Sequence, residues 1–574
     1  MERGTVGAGW RGRLCLRPAA PEPHPAQPAA PAALTALTLP RLAHRPCTSP
    51  HPRGTVGGMT ETSAAAPAVP GEMPAHIQDL ADFVRASPSS YHAAEEVARR
   101  LEAVGFTRLD EHRDFPSAPG GYVVVRDGAA MAWIIPTTIG AAASGENSAS
   151  ASAAASGENS GEAEGQGEEA GGGEGADVVP VFRIMGTHTD SPGFKLKPNH
   201  VTATADGWVQ AGVEVYGGPL LNSWLDRELR FAGRLALADG RQVLAASGPL
   251  GRIPQLAIHL DRQVNEGLAL QRQRHMHPVI GTAHFGPAPG PASADGPLQA
   301  RLTADVLSVL AEAAGVDREE IMGHDVMVAD AQAPGLFGAN GEFLASGRLD
   351  NLASTHAGLA ALERLAGEGA TGGEGVSGSI EYAGRVAEGI AGEAAGAPVI
   401  PMLAAFDHEE LGSASRSGAA GPILEEMISR IQTALGIQGQ ARARSIHGSW
   451  LLSADTGHLV HPNYAERHDP ANHPRPNGGM LLKINANQRY ATDAAGAAAF
   501  ARWSGVAGAP FQEFVSHNDS PCGSTIGPIS ATRLGIRTVD VGIGLLSMHS
   551  AREMCGVEDI AHMGRTVDVF YSGV

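Results

Sequence analysis

At 574 residues with a formal net charge of −19, the chain is too long for one ordinary core and too acidic to be drawn to nucleic acid or an anionic membrane surface. No run of about 18 apolar residues occurs, which excludes a membrane-spanning helix. Of the four cysteines, Cys15 and Cys47 lie in a stretch without folding pattern, so Cys522 and Cys555 make no disulfide scaffold and fit a reducing, cytoplasmic setting.

The first 58 residues hold seven arginines, two glutamates and many prolines, without the apolar core of a secretory signal. We expect residues 1–72 to be a disordered extension; one hypothesis is that the chain starts not at Met1 but at Met59 or Met73, and an Arg-rich organellar targeting segment is the competing reading. Ordered sequence begins near His76. There Ile77, Leu80, Phe83 and Val84 share one helical face, and Val97, Leu101 and Val104 form a second face ending at Gly105. Gly121 to Pro136 reads as two strands around an Asp127-Gly128 turn.

Residues 140–177 carry eight acidic residues, no basic ones and a repeated SGENS, and almost nothing to bury. We expect a disordered insertion there, and a second of the same Gly/Ala/Glu flavour at about 367–396, both on surface loops where extra length costs least. Between them apolar runs alternate with helical patterns: VVPVFRIMG before His188, VIPMLAAF before Asp407, SWLLSA before Asp455 and GIRTVDVGIG before His549. This alternation predicts an α/β domain, residues 73–191 and 341–574, with a mostly parallel central sheet flanked by helices. Residues 192–340, with short runs broken by Gly, Pro and Asn, predict an inserted β-rich domain.

Ligand sites in open α/β sheets lie outside the carboxyl ends of the strands, so the polar residues closing these runs should converge. In GTHTDSPGF, His188 can ligate a metal while Asp190 accepts the imidazole's other N–H. In SGRLDNLASTHAGLAAL, Asp350 falls in or just before the first turn of a helix, where a carboxylate is ordinarily an N-terminal cap. AAFDHEELGSAS sets Asp407, His408, Glu409 and Glu410 after a buried strand, and two neighbouring carboxylates suit two tasks, one binding a metal and one moving a proton. SADTGHLVHPNY supplies Asp455 and LLSMHSAREMCG supplies His549. Singly, each is more often structural; together, two histidines and three carboxylates make the ligand set of a two-metal hydrolytic site. HExxH, G-x-S-x-G and P-loop signatures are all missing.

The ordered series GTHTDSPGFKLKPN, IPQLAIHLDR, SGRLDNL, FDHEELGS, SADTGH, KINANQRYATD and MHSAREMCG resembles the successive motifs of the aspartyl aminopeptidases, from about His76 to Val574 with interruptions only at the two insertions. The resemblance implies a metallopeptidase α/β domain with an inserted β-rich dimerisation domain, and dimers assembled into a homododecamer. It implies removal of acidic residues from peptide N-termini by two divalent cations, zinc first and manganese or cobalt next. It assigns His188 and Asp455 to one metal, Glu410 and His549 to the other, Asp350 as the bridge and Glu409 as general base. Tyr490, and His259 from a neighbouring subunit, correspond to oxyanion donors, and Lys483 to the cation that reads the acidic side chain. A two-metal carboxypeptidase or deacylase, or an inactive shell-forming protein on the same fold, are the alternatives.

Overall fold

A computed structural model describes residues 73–139, 178–286, 299–302, 305–370, 397–524 and 526–574. The expected N-terminal extension, the acidic insertion at 140–177 and residues 371–396 of the second insertion lie outside the described residues. The expected start of that second insertion, about Gly367, falls inside a helix that begins at Leu349 and continues to Ala370. Two glycines at about 1 kcal/mol each do not stop a helix already nucleated and packed over several turns.

Two amphipathic helices open the described chain, α1 (Ala75–Ala86) and α2 (Ser90–Ala103), burying the apolar positions that their periodicity marks. The Ser89 hydroxyl caps α2 by accepting from the His92 N–H. Gly105, at φ +95°, turns the chain out of it.

The marked apolar runs become the centre of a nine-stranded sheet. Its strands are β1 (Thr107–Arg108), β2 (Gly120–Arg126), β3 (Ala129–Ile135), β4 (Val181–His188), β5 (Val399–Phe406), β6 (Trp450–Ala454), β7 (Met480–Lys483), β8 (Phe511–Phe514) and β9 (Arg537–Gly542). Their spatial order is β1-β2-β3-β5-β4-β6-β9-β7-β8. Strands β5, β4, β6 and β9 are mutually parallel, so their carboxyl ends share one edge. The hairpin strand β3 pairs antiparallel with β5, and β7 with β9. Every residue of β4 is buried, and all but the first of β5, because helices cover both faces; such strands read as continuous apolar runs. One face packs on α1, α2, α3 (Leu349–Ala370) and α6 (Val557–Ser572), together with α5 (Ala494–Val506), through Leu352, Leu359, Phe500 and Phe570. The other packs on α4 (Ile423–Ala434) through Ile423, Met427 and Ile431.

A second sheet of eight strands runs between Gly193 and Asp330 with antiparallel pairing. The short strand Gly251–Arg252 pairs with both Val279–Gly286 and Glu228–Leu237 and closes the sheet into a barrel. Its own core includes Phe194, Phe231, Leu235 and Val326, with Leu307 and Leu310 of a short helix. This barrel leaves the α/β domain just after His188 and returns just before Asp350. A three-stranded sheet of Gly335–Phe337, Phe343–Ser346 and Glu553–Gly556 then sets the return segment beside the C-terminal region.

Arg100 of α2 ties this helical face together, donating to Asp79 of α1 at 2.9 Å and to Glu363 of α3 at 2.6 Å. Burial opposes ionisation of Asp79, but its bonds to His356 and Arg100 hold it below the usual aspartate range. Its stabilisation is therefore complete above the ordinary aspartate value and is lost as the pH falls below it. Arg100→Met should cost about 1–3 kcal/mol, read as a lowered urea midpoint at neutral pH. An unchanged midpoint would show the clamp to be energetically silent.

Candidate metal centre

The edge where β4, β5 and β6 end collects the residues marked in the sequence. His188 closes β4; Glu409 and Glu410 lie on a single 3-10 turn, Glu409–Leu411, just past β5; Asp455 follows β6. Asp350 does not cap α3. Its φ of −82° and ψ of 102° take it out of the helix, and its carboxylate turns to the cleft instead. His549 stands on a loop before Glu553–Gly556 and not at the exit of β9, with φ +66°.

The geometry centres on Asp350. His188 Nε2 lies 3.3 Å from Asp350 Oδ1 and 3.4 Å from Asp455 Oδ1. On the other side His549 Nε2 lies 3.4 Å from Asp350 Oδ2 and 3.5 Å from Glu410 Oε2. One carboxylate thus faces two imidazoles, each accompanied by a further carboxylate. His188, Asp350 and Glu410 offer ligand atoms all within 4.8 Å of one another. The buried oxygens Asp350 Oδ1 and Glu410 Oε1 have no hydrogen-bond partner. Orphaned buried acceptors next to imidazole nitrogens are what a cation-binding donor set requires, so these residues fit divalent metal.

Both imidazoles are oriented through Nδ1 by main-chain carbonyls. His188 Nδ1 is 3.0 Å from Asp190 O, and His549 Nδ1 is 3.1 Å from Gly218 O. A donor at Nδ1 leaves Nε2 with its lone pair toward Asp350. For His188 the sequence predicts the Asp190 carboxylate in this role, but that group is farther, at 3.5 Å. It is engaged elsewhere, accepting from Glu409 N at 3.0 Å, Glu410 N at 3.2 Å and the Tyr216 hydroxyl at 2.9 Å. Asp190 therefore fixes the turn that carries both glutamates. His408 turns away, its Nδ1 on Ser415 Oγ.

Charge explains the tension in this cluster. Burial pushes Glu409 up to about 8, with Asp455, Asp350 and Asp190 adding to the effect. Burial and Asp350 likewise push Glu410 well above the usual glutamate value. Burial works against both imidazoliums too, but the surrounding carboxylates outweigh it and raise His188 and His549. Burial opposes ionisation of Asp350, but the imidazoles of His188 and His549, one beside each oxygen, hold it below the usual aspartate range.

Two further predicted residues border the cleft. Lys483, 1% exposed, ends β7 with Nζ 3.4 Å from Asp455 Oδ2 and 5.2 Å from the centre of the Tyr490 ring. Tyr490 is buried against Leu481 and Phe514 and lines a cavity of about 310 Å³ with His458, His517 and Met548. His259 is not brought to the site within this chain; it lies on an exposed segment of the barrel domain.

Three contributors escape the sequence reading. Tyr216 holds Asp190; the Gly217-Gly218 pair lets the barrel domain lie against Glu410 and His549; Glu553 accepts from the main-chain N–H groups of Asp350 and His549. The glycine pair at a strand end was the available signal, since it marks close backbone approach. A Cβ at Gly217 would meet Glu410 Cβ at 3.2 Å, and its φ is +66°.

Comparison with known proteins places the chain in a family of metal-dependent peptidases. Residues 174–372 and 387–571 match the family model described as aminopeptidase I zinc metalloprotease (M18). The chain is 44% identical over 486 residues to the probable M18 family aminopeptidase 2 of Streptomyces coelicolor, covering 84% of this chain and 94% of that one. Among solved structures it resembles Ape4 in its complex with Nbr1, with a TM-score of 0.69, 33% identity and coverage of 87% and 85%. It also resembles the mApe1 dodecamer of S. cerevisiae, with a TM-score of 0.63, 25% identity and coverage of 86% and 95%.

Stripping the metal should expose the charge tension as a pH effect. A carboxyl raised in the fold keeps its proton where the unfolded chain has lost it, so Glu409 makes folding less stable as pH rises from 4.5 toward about 8, and Glu410 acts in the same direction. The raised His188 acts the same way, its contribution complete below its ordinary value and lost at higher pH. Asp350 acts oppositely, but only on acidification below the ordinary aspartate value. Chelator-treated protein should therefore melt lower at about pH 8 than at about pH 5.5, and saturating zinc should remove that loss, because a cation binds the deprotonated ligands. Thermal melts with and without zinc check this; stripped protein more stable at the higher pH contradicts it.

Proposed function

This chain belongs to the M18 family of metal-dependent aminopeptidases, and we propose that it removes acidic residues, Asp or Glu, from the N-termini of peptides. In this reading His188 and Asp455 would hold one divalent cation and Glu410 and His549 the other, with Asp350 as the carboxylate shared between them. Zinc is the first choice of metal, as the family description supports, with manganese or cobalt as substitutes. The observation that carries the reading is the placement of Asp350, with one oxygen toward each imidazole Nε2.

When bound, such a pair of cations polarises the scissile carbonyl and makes the attacking water more acidic. Glu409, beside His188, Asp455 and Asp350, takes the proton of that water and returns it to the leaving amine. Asp190 keeps it in place through the Glu409 N–H. The Tyr490 hydroxyl, with His259 of a neighbouring subunit, donates to the oxyanion that develops on the carbonyl.

Lys483 reads the substrate's acidic side chain. Only three lysines occur in the whole chain, and this one is buried beside the cleft. An ammonium placed there, with a metal ligand as its partner, is available to a carboxylate that approaches from the Tyr490 side.

The yeast mApe1 structure is a dodecamer, and we read the same kind of assembly, built from dimers, for this chain. Its support here is the exposed apolar stretch Leu256, Ile258, Leu260 and Leu268, which surrounds His259 on the barrel domain. A cytoplasmic setting accords with the free thiols of Cys522 and Cys555. Among the described residues no helix is long and apolar enough to cross a membrane.

Chelator-stripped protein reloaded with zinc, manganese or cobalt should cleave a peptide with free N-terminal Asp, and neither its Leu counterpart nor its N-acetylated form. Folded protein that cleaves none of them with any metal would favour the inactive shell reading. Glu409→Gln should lower kcat by about 10²–10⁴ with metal content unchanged; a near-normal kcat would remove Glu409 as the base. Lys483→Met should bind metal but lose most of the preference for N-terminal Asp over Leu, measured as a ratio of kcat/KM. An unchanged ratio would remove Lys483 from the specificity pocket.

A further inference from the structure

The loops carrying Asp350 and His549 come from regions some 200 residues apart and have no strand of their own at the cleft. Both curl back onto one side chain. Glu553 Oε2 accepts the Asp350 N–H at 3.0 Å, and Glu553 Oε1 accepts the His549 N–H at 2.8 Å. Glu553 opens the strand Glu553–Gly556, opposite Ser346 of the neighbouring strand, so each loop folds over the end of the same strand pair. The two loops also touch directly, since a Cβ on Gly347 would lie 2.8 Å from the Ala551 carbonyl oxygen.

These loops need holding. Arg348, Ser547 and His549 all adopt positive φ, at 60°, 57° and 66°. Non-glycine residues there are strained and persist only when their surroundings fix them. Glu553 itself is 2% exposed, and a buried carboxylate is expensive unless both of its oxygens are used. Here both are used, and by main-chain donors. A carboxylate can accept at both ends, whereas a glutamine amide accepts at one end and presents N–H groups at the other.

Resting on the two-metal reading above, we propose that Glu553 is a positioning residue of the metal centre. It locks the bridging carboxylate and the His549 imidazole into one unit by gripping the main chain of both, and so sets the affinity of the His549 and Glu410 position for its cation. It touches neither substrate nor metal. Gly218 completes the restraint from the barrel domain by fixing the same imidazole through Nδ1, so His549 is held from both domains, at its main-chain N–H by Glu553 and at its ring by Gly218.

The test is cobalt titration of chelator-stripped wild-type, Glu553→Gln and Glu553→Asp proteins. It is followed by the visible absorption of each bound equivalent, with melting of the stripped forms and steady-state kinetics alongside. The Gln variant should melt within a few degrees of wild type when stripped. It should bind one equivalent of cobalt about 10–100-fold more weakly, the range expected for loss of an outer-sphere partner. Its kcat at limiting metal should fall, and excess metal should restore most of it while KM stays near wild type. The Asp variant, which keeps two acceptor oxygens, should lie between the two; it also serves as the reading if the Gln variant does not fold. A folded Gln variant that binds both equivalents with wild-type affinity and spectrum overturns the proposal. Wild-type protein that takes up fewer than two equivalents overturns the two-metal reading itself, which separates the two failures.

Discussion

The architecture around the cleft answers one electrostatic problem: Asp350, Glu409, Glu410 and Asp455 converge on two imidazoles in a site largely shielded from water. Like charges brought this close raise one another's pKa, and burial adds to the effect, as Glu409 and Glu410 register. Such a cluster is tolerable when cations of higher charge neutralise it, and its orphaned acceptors on Asp350 and Glu410 lie where they would do so. The surrounding fold reads as the apparatus that holds these groups together against their repulsion.

That apparatus works mainly through the backbone. Parallel strands β4, β5 and β6 deliver His188, the Glu409–Glu410 turn and Asp455 to one edge, fixing their spacing by the sheet's hydrogen-bond register. The remaining members of the cluster have no such support. Asp350 and His549 depend on the small three-stranded sheet and on contacts to main-chain N–H and C=O groups. Asp190 serves the same purpose for the glutamate turn, spending its carboxylate on two main-chain N–H groups.

The barrel domain is more than an appendage. Its Tyr216, Gly217 and Gly218 reach the centre directly, one bonding Asp190 and the others lying against Glu410 and His549. The Leu220 N–H also donates to the His549 carbonyl, and the Ser223 hydroxyl accepts from Ala551. Displacing this domain would therefore disturb the cluster on the side where His549 sits, even though none of the side chains proposed as metal ligands belongs to it.

The amino-acid sequence by itself determined the periodic helices, the buried strands and the chemical types gathered at their ends, because burial on one face or both leaves a pattern within a few neighbouring residues. It marked the imidazoles and carboxylates that gather at the cleft, though not the Tyr216 and Glu553 side chains that steady them, and its ordered motifs carried the likeness to the aspartyl aminopeptidases. Only the tertiary structure decided that Asp350 leaves its helix to face both imidazoles, that His549 stands on a loop, and that the Asp190 carboxylate steadies the glutamates while its carbonyl holds His188. It alone revealed Glu553 and the Gly218 carbonyl. These are long-range hydrogen bonds to main-chain atoms, which every residue possesses, so nothing in the local sequence distinguishes the ones that are used.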